Sequence, residues 1–137
     1  MCKKSILIAD DEKMITESLA YVLQSEGYRV IKVSNGLEAL QVIKDTGGVD
    51  FLITDVYMPE MDGIELVAAI REQNLPIDII AISGGDFQGT QSWQAPENDN
   101  YIKTIEKYAR TVFVRKPFRI NEILRVLHGL HGTEGEQ

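Results

Sequence analysis

Ile6-Leu7-Ile8-Ala9-Asp10-Asp11-Glu12 is the stretch on which the fold turns. Four consecutive apolar residues suit a strand buried on both faces, the condition of a central strand in a parallel sheet. A strand with one face in water would alternate apolar and polar positions instead. Three acidic residues follow at once, so whatever lies past the end of this strand is strongly negative.

The same pattern recurs down the chain. Residues 13–26 carry Ile15, Leu19, Val22 and Leu23 on one helical face, and Gly27 stops that helix. Arg29 to Val33 reads as a second strand, and Asn35-Gly36 opens a helix with Leu40 and Ile43 inward that Gly47-Gly48 ends. Phe51-Leu52-Ile53-Thr54 is a third strand running straight into Asp55. Pro59 and Asp62-Gly63 mark a loop, then Ile64, Val67 and Ile70 recur at helical spacing up to Asn74-Leu75-Pro76. Ile77 to Ile82 is the fourth strand. Residues 84–100 are rich in breakers and without periodicity, which predicts a long loop. Tyr101, Ile102, Ile105 and Tyr108 predict a helix, Thr111 to Arg115 a fifth strand, and Ile120, Ile123, Leu124, Leu127 and Leu130 a last helix.

Strand and helix thus alternate five times, an α/β pattern for a doubly wound parallel sheet with helices on both faces and right-handed crossovers. One domain is expected over residues 1–131, followed by a short polar tail at 132–137 and no output domain. Composition agrees: 137 residues, 44% hydrophobic and 26% charged, describe a self-sufficient globular core rather than disorder or a disulfide scaffold. The net charge of −7 disfavours nucleic acid and anionic lipid as partners. Cys2 has no partner cysteine in the chain, which fits a reducing cytoplasm. No apolar run approaches the roughly 20 residues of a membrane span.

In open α/β sheets, ligands gather at the carboxyl ends of the strands near a switch in strand order. The residues there are Asp10 and Asp11 after the first strand, Asp55 after the third, Ser83 ending the fourth and Lys116 ending the fifth. With strand order 2-1-3-4-5 they converge on one edge. Carboxylates brought together repel by on the order of 4 kcal/mol per pair at close approach unless a cation or proton intervenes. An all-oxygen donor set without His or Cys favours a hard cation, and Mg2+ is the natural choice. With a lysine and a hydroxyl opposite, these parts describe phosphoryl transfer to a carboxylate nucleophile.

At this point the chain resembles the receiver domain of two-component response regulators. The resemblance rests on Ile8-Ala9-Asp10-Asp11-Glu12, Thr54-Asp55-Val56-Tyr57-Met58-Pro59, Met61-Asp62-Gly63, Ile82-Ser83-Gly84 and Arg115-Lys116-Pro117-Phe118. It implies a flavodoxin-like (βα)5 fold and a stand-alone signalling protein rather than an enzyme. Asp55 would accept a phosphoryl group from a histidine kinase or a histidine phosphotransfer protein. Mg2+ would be held by Asp11, Asp55 and the Tyr57 carbonyl oxygen, with Asp10 acting through water. Lys116 would pair with the phosphoryl oxygens, and Ser83 and Phe113 would form the switch that alters a protein-interaction surface or passes the phosphoryl group on.

Three departures from the family pattern stand out. The interval from Ser83 to Lys116 is about ten residues longer than family receivers carry, and the excess falls in the 84–100 loop beside the switch. Phe113 stands where many receivers have tyrosine, and Tyr57 and Gly85 occupy the variable positions flanking the site. The competing readings are a pseudo-receiver that never takes up phosphate, a haloacid-type phosphatase and a flavin carrier. The phosphatase lacks a second Asp two residues after Asp55, where Tyr57 sits. The flavin carrier would need hydroxyls and backbone N–H groups, not Asp-Asp-Glu, after the first strand.

Overall fold

Alternate residues of the central strands pack into two different cores, one on each side of the sheet. Ile6, Ile8, Phe51, Ile53, Ile80 and Ile82 meet Leu19, Ala20, Leu23, Ile123 and Leu127 on one face. Leu7, Ala9, Leu52 and Ile79 meet Ala39, Ile43, Leu66, Val67 and Ile70 on the other. This is why Ile6–Ala9, Phe51–Ile53 and Ile79–Ile82 are continuous apolar runs: with helices on both sides, none of these positions faces water. Each fully buried Ile, Leu or Phe contributes about 1.5–3 kcal/mol of transfer free energy, so the two cores dominate stability.

A computed structural model describes residues 4–56, 58, 60–83, 110–115 and 118–135, with the backbone alone at 83, 113 and 131–135. The strands are β1 (Ser5–Ala9), β2 (Arg29–Val33), β3 (Phe51–Asp55), β4 (Asp78–Ser83) and β5 (Thr111–Arg115). They form one sheet in the order β2-β1-β3-β4-β5, and every pairing is parallel. The helices among the described residues are α1 (Lys13–Ser25), α2 (Gly36–Thr46), α3 (Gly63–Glu72) and α4 (Ile120–Gly135). The doubly wound sheet and its strand order are those expected from sequence. The 84–100 loop and the helix expected from Tyr101 lie outside the described residues.

Local chemistry sets the helix ends. Asn35 caps α2, its side chain accepting the Glu38 N–H at 2.9 Å, and Gly47 ends the helix in the left-handed region at φ 84°. Asp62 and Glu65 form a reciprocal capping box on α3, each side chain accepting the other's backbone N–H at 2.9 and 3.0 Å. The last helix continues to Gly135, into the segment expected to be a polar tail from residue 132. Extending an existing helix needs no new nucleus, so modest propensity suffices there.

The strand β4 starts on a buried acid. Asp78 is met by Arg110, whose Nε donates at 2.7 Å, and the Arg110 carbonyl accepts the Ile79 N–H at 2.8 Å. Arg71 ties the end of α3 to the same corner, donating to the Leu75 and Ile77 carbonyls at 3.0 and 2.9 Å. Arg110 is itself well exposed, so the Coulomb attraction is screened, and the larger effect of its loss is a carboxylate left buried without its guanidinium partner. Arg110→Met should therefore lower stability by about 1–3 kcal/mol in urea denaturation. An unchanged midpoint would show that the pair contributes nothing.

Candidate functional site

The position of the acidic cluster follows from strand parity and register. Asp10 continues the side of β1 that carries Ile6 and Ile8, and Asp55 continues the side of β3 that carries Phe51 and Ile53. The β1–β3 register ends at Ala9 opposite Thr54, so the next step sets Asp10 beside Asp55. Carboxylate oxygens of Asp10, Asp11 and Asp55 lie within 4.8 Å of one another. Asp10 and Asp55 are only 4% and 6% exposed, whereas Asp11 faces solvent and forms the open side.

Local backbone bonding continues past the ends of the strands. The Asp10 N–H donates to the Val33 carbonyl at 3.2 Å, carrying the β1–β2 ladder one residue past the strand. Oδ1 of Asp10 accepts the Glu12 N–H at 2.9 Å, which fixes the carboxylate's direction. An acidic triplet before a helix often serves as its cap. Here Glu12 holds the N-cap position of α1 and makes no side-chain capping bond.

Two glycines seat the loop that follows Asp55. At Gly63 a Cβ would collide with the Asp55 carbonyl oxygen and lie 2.9 Å from the Val56 Cα. At Gly36 it would lie 2.6 Å from the Met61 carbonyl oxygen, which the Gly36 N–H reaches at 3.1 Å. The Gly63 N–H donates to the Val56 carbonyl at 2.8 Å, and the Val56 N–H donates to the Ile82 carbonyl at 2.8 Å. Thus α3 begins pressed against the backbone of Asp55, and β4 holds the residue after it. In sequence Asp62-Gly63 is a loop marker; that the glycine serves close approach to Asp55 has no local signal.

The other expected site residues are placed in part. Ser83 ends β4 in register with Arg115, and Phe113 lies in β5 opposite Ala81; their side chains are outside the described residues, as are Tyr57, Gly84 and Lys116 as a whole. His128 is exposed on α4. The donor set suits a hard divalent cation: three carboxylates, two buried, with neither imidazole nor thiolate among them.

Fold and cluster together define a doubly wound α/β domain with an acidic cluster at the carboxyl ends of β1 and β3. The family described as response regulator receiver domain matches residues 6–128, and the chain belongs to it as a receiver domain of two-component signalling. Sensor kinase CckA of Brucella abortus is 31% identical over 120 residues, 87% of this chain but 12% of that protein. The transcriptional regulatory protein PhoP of Bacillus subtilis is 40% identical over 83 residues, 61% of this chain and 34% of that protein. The chain spans about half or less of the length of these and similar curated relatives. Among solved structures, a CheY-like receiver domain protein of Methanospirillum hungatei matches with TM-score 0.77 at 24% identity, over 99% of this chain and 100% of that one. The response regulator TrrA of Thermotoga maritima, solved in complex with Mg(2+)-BeF, matches with TM-score 0.70 at 30% identity, over 93% and 98%. No helix of the described residues is long and apolar enough to cross a membrane.

At the start of α3, burial raises the Asp62 carboxyl above its ordinary value of 3.8, opposed by the Glu65 backbone N–H, reinforced by the Glu65 charge and opposed again by the Ile64 N–H. A raised folded-state pKa means the native state binds the proton more tightly, so ionised Asp62 carries a stability deficit that is absent below pH 3.8 and develops as pH rises. Asparagine caps as well as aspartate. Asp62→Asn should therefore match or exceed wild-type stability at pH 7, with the difference vanishing as pH falls below 3.8; a variant less stable at pH 7 contradicts this. Gly63→Ala should destabilise the domain by about 1–3 kcal/mol, since backbone on both sides of the contact must shift. Gly129→Ala, where a Cβ meets nothing within 4 Å, should instead stabilise α4 by about 0.5–1 kcal/mol. Denaturation midpoints check the pair.

Proposed function

We propose that this domain is a phosphoryl acceptor in a two-component pathway, with Asp55 as the acceptor. The observation that carries the reading is the convergence of the Asp10, Asp11 and Asp55 carboxylate oxygens within 4.8 Å at the carboxyl edge of the sheet. The likeness to TrrA, solved with Mg(2+)-BeF, supports it. The donor is a phosphohistidine on a histidine kinase or a histidine phosphotransfer protein. A carboxylate oxygen of Asp55 attacks phosphorus, the phosphorus–nitrogen bond breaks, and its electron pair returns to the imidazole.

Asp10, Asp11 and Asp55, with the Tyr57 carbonyl oxygen, would hold Mg2+. When bound, it supplies positive charge that relieves carboxylate repulsion and stabilises charge on the phosphoryl oxygens. Asp10 is pinned by the Glu12 N–H and so keeps its place as Asp55 changes from anion to acyl phosphate. Lys116, one residue beyond β5, would pair with the phosphoryl oxygens. Ser83, at the end of β4, would hydrogen-bond them from the neighbouring strand, and Phe113 would turn behind it. The added charge of roughly −1.5 to −2 biases a two-state equilibrium of that edge, and so the protein surface it presents. The domain thus signals by contact or by onward transfer and takes part in its own phosphorylation and dephosphorylation without turning over a free substrate.

Incubation with a panel of purified, radiolabelled histidine kinases should give Mg2+-dependent label on the wild type and none on Asp55→Asn. Chelation should slow uptake by about a hundredfold or more. Equal labelling of wild type and variant would overturn the site, and no labelling from any donor would favour a pseudo-receiver.

A further inference from the structure

Thr54 is a buried polar residue in apolar surroundings. It is 0% exposed, stands on the face of β3 opposite Asp55, and lies in register between Ala9 of β1 and Ala81 of β4, both wholly buried. Valine would fill the same shape, and a hydroxyl there is unfavourable unless hydrogen-bonded. Its Oγ1 donates to the carbonyl oxygen of Asp55 at 3.0 Å.

That bond falls where sheet pairing changes. The β1–β3 register ends at Thr54, while the β3–β4 register continues to Asp55 opposite Ile82. The peptide joining Asp55 to Val56 is then gripped at both polar ends, its carbonyl by the Thr54 hydroxyl and its N–H by the Ile82 carbonyl at 2.8 Å. Gly63 lies against the same carbonyl, with no room for a side chain between. The carbonyl carbon of this peptide is bonded to the Asp55 Cα, so a shift of the peptide carries the Cα, and with it the carboxylate, relative to Asp10.

We infer that Thr54 is a positioning residue for Asp55: its hydroxyl locks the Asp55–Val56 peptide so that the carboxylate is presented in line for phosphoryl transfer. This rests on Asp55 being the acceptor. Displacement of a nucleophile by about 1 Å can slow such a reaction about a hundredfold.

The test compares Thr54→Val, which keeps the shape and loses the hydroxyl, with Thr54→Ser, which keeps the hydroxyl and loses a methyl. The probe is acetyl phosphate, which requires no kinase docking, with Mg2+ present. Thr54→Val should take up phosphoryl groups about 10- to 100-fold more slowly at an unreduced thermal midpoint, and Thr54→Ser should keep a near wild-type rate despite a lower midpoint. Without any phosphoryl donor, amide exchange at Val56 should be about tenfold faster in Thr54→Val, with Ile6, Ile8 and Ile80 unchanged. Wild-type uptake and Val56 exchange in Thr54→Val would overturn the inference. So would rates that fall with thermal midpoint in both variants, the mark of a packing role. No uptake by the wild type, or uptake unaffected by Asp55→Asn, would overturn the acceptor reading and the positioning role with it.

Discussion

Like-charge repulsion between buried carboxylates is the constraint around which this domain is arranged. Asp10 and Asp55 sit side by side at the ends of adjacent parallel strands, with Asp11 at the mouth. The buried Asp10–Asp55 pair costs several kcal/mol at such a separation unless something offsets it, whereas solvent screens Asp11. A fold meant only to be stable would place apolar residues here, as it does at Ile6–Ala9 of β1 and Phe51–Ile53 of β3. The cost is confined to one edge, and the two flanking cores make it tolerable.

The neighbouring structure keeps the cluster in place rather than relaxing it. The Glu12 N–H pins Asp10, and α3 starts against the Asp55 carbonyl because Gly63 lacks a Cβ. Met61 stands over Gly36 at the start of α2, joining the loop after β3 to a second helix. The opposite edge of the sheet holds a different kind of charge arrangement. There Asp78 and Arg110 neutralise each other and secure the starts of β4 and β5. One edge thus pairs an acid with a base, while the other brings three carboxylates together.

Much of this was legible in sequence because buried parallel strands need unbroken apolar runs, which Ile6–Ala9 and Phe51–Thr54 supply. The acidic residues after them could be assigned to one edge from parity and strand order alone. What escaped depends on tertiary partners. Thr16 and Ala20 are buried on α1, where small residues let the helix approach the sheet, although apolar periodicity favoured Ile15 and Val22. The start of β4 at Asp78, not Ile77, needs an arginine 32 residues away. Thr54 looked like a strand residue of no distinction, since only the end of the β1 ladder gives its hydroxyl a task.

Asp55, as the proposed phosphoryl acceptor, carries the chemistry, and neither acid beside it does. Reduction of the phosphorylated domain with borohydride converts an aspartyl phosphate to homoserine, and sequencing then locates it. Homoserine is expected at position 55 alone. Homoserine at position 10 or 11, or phosphoryl-loaded protein with none at 55, would contradict it.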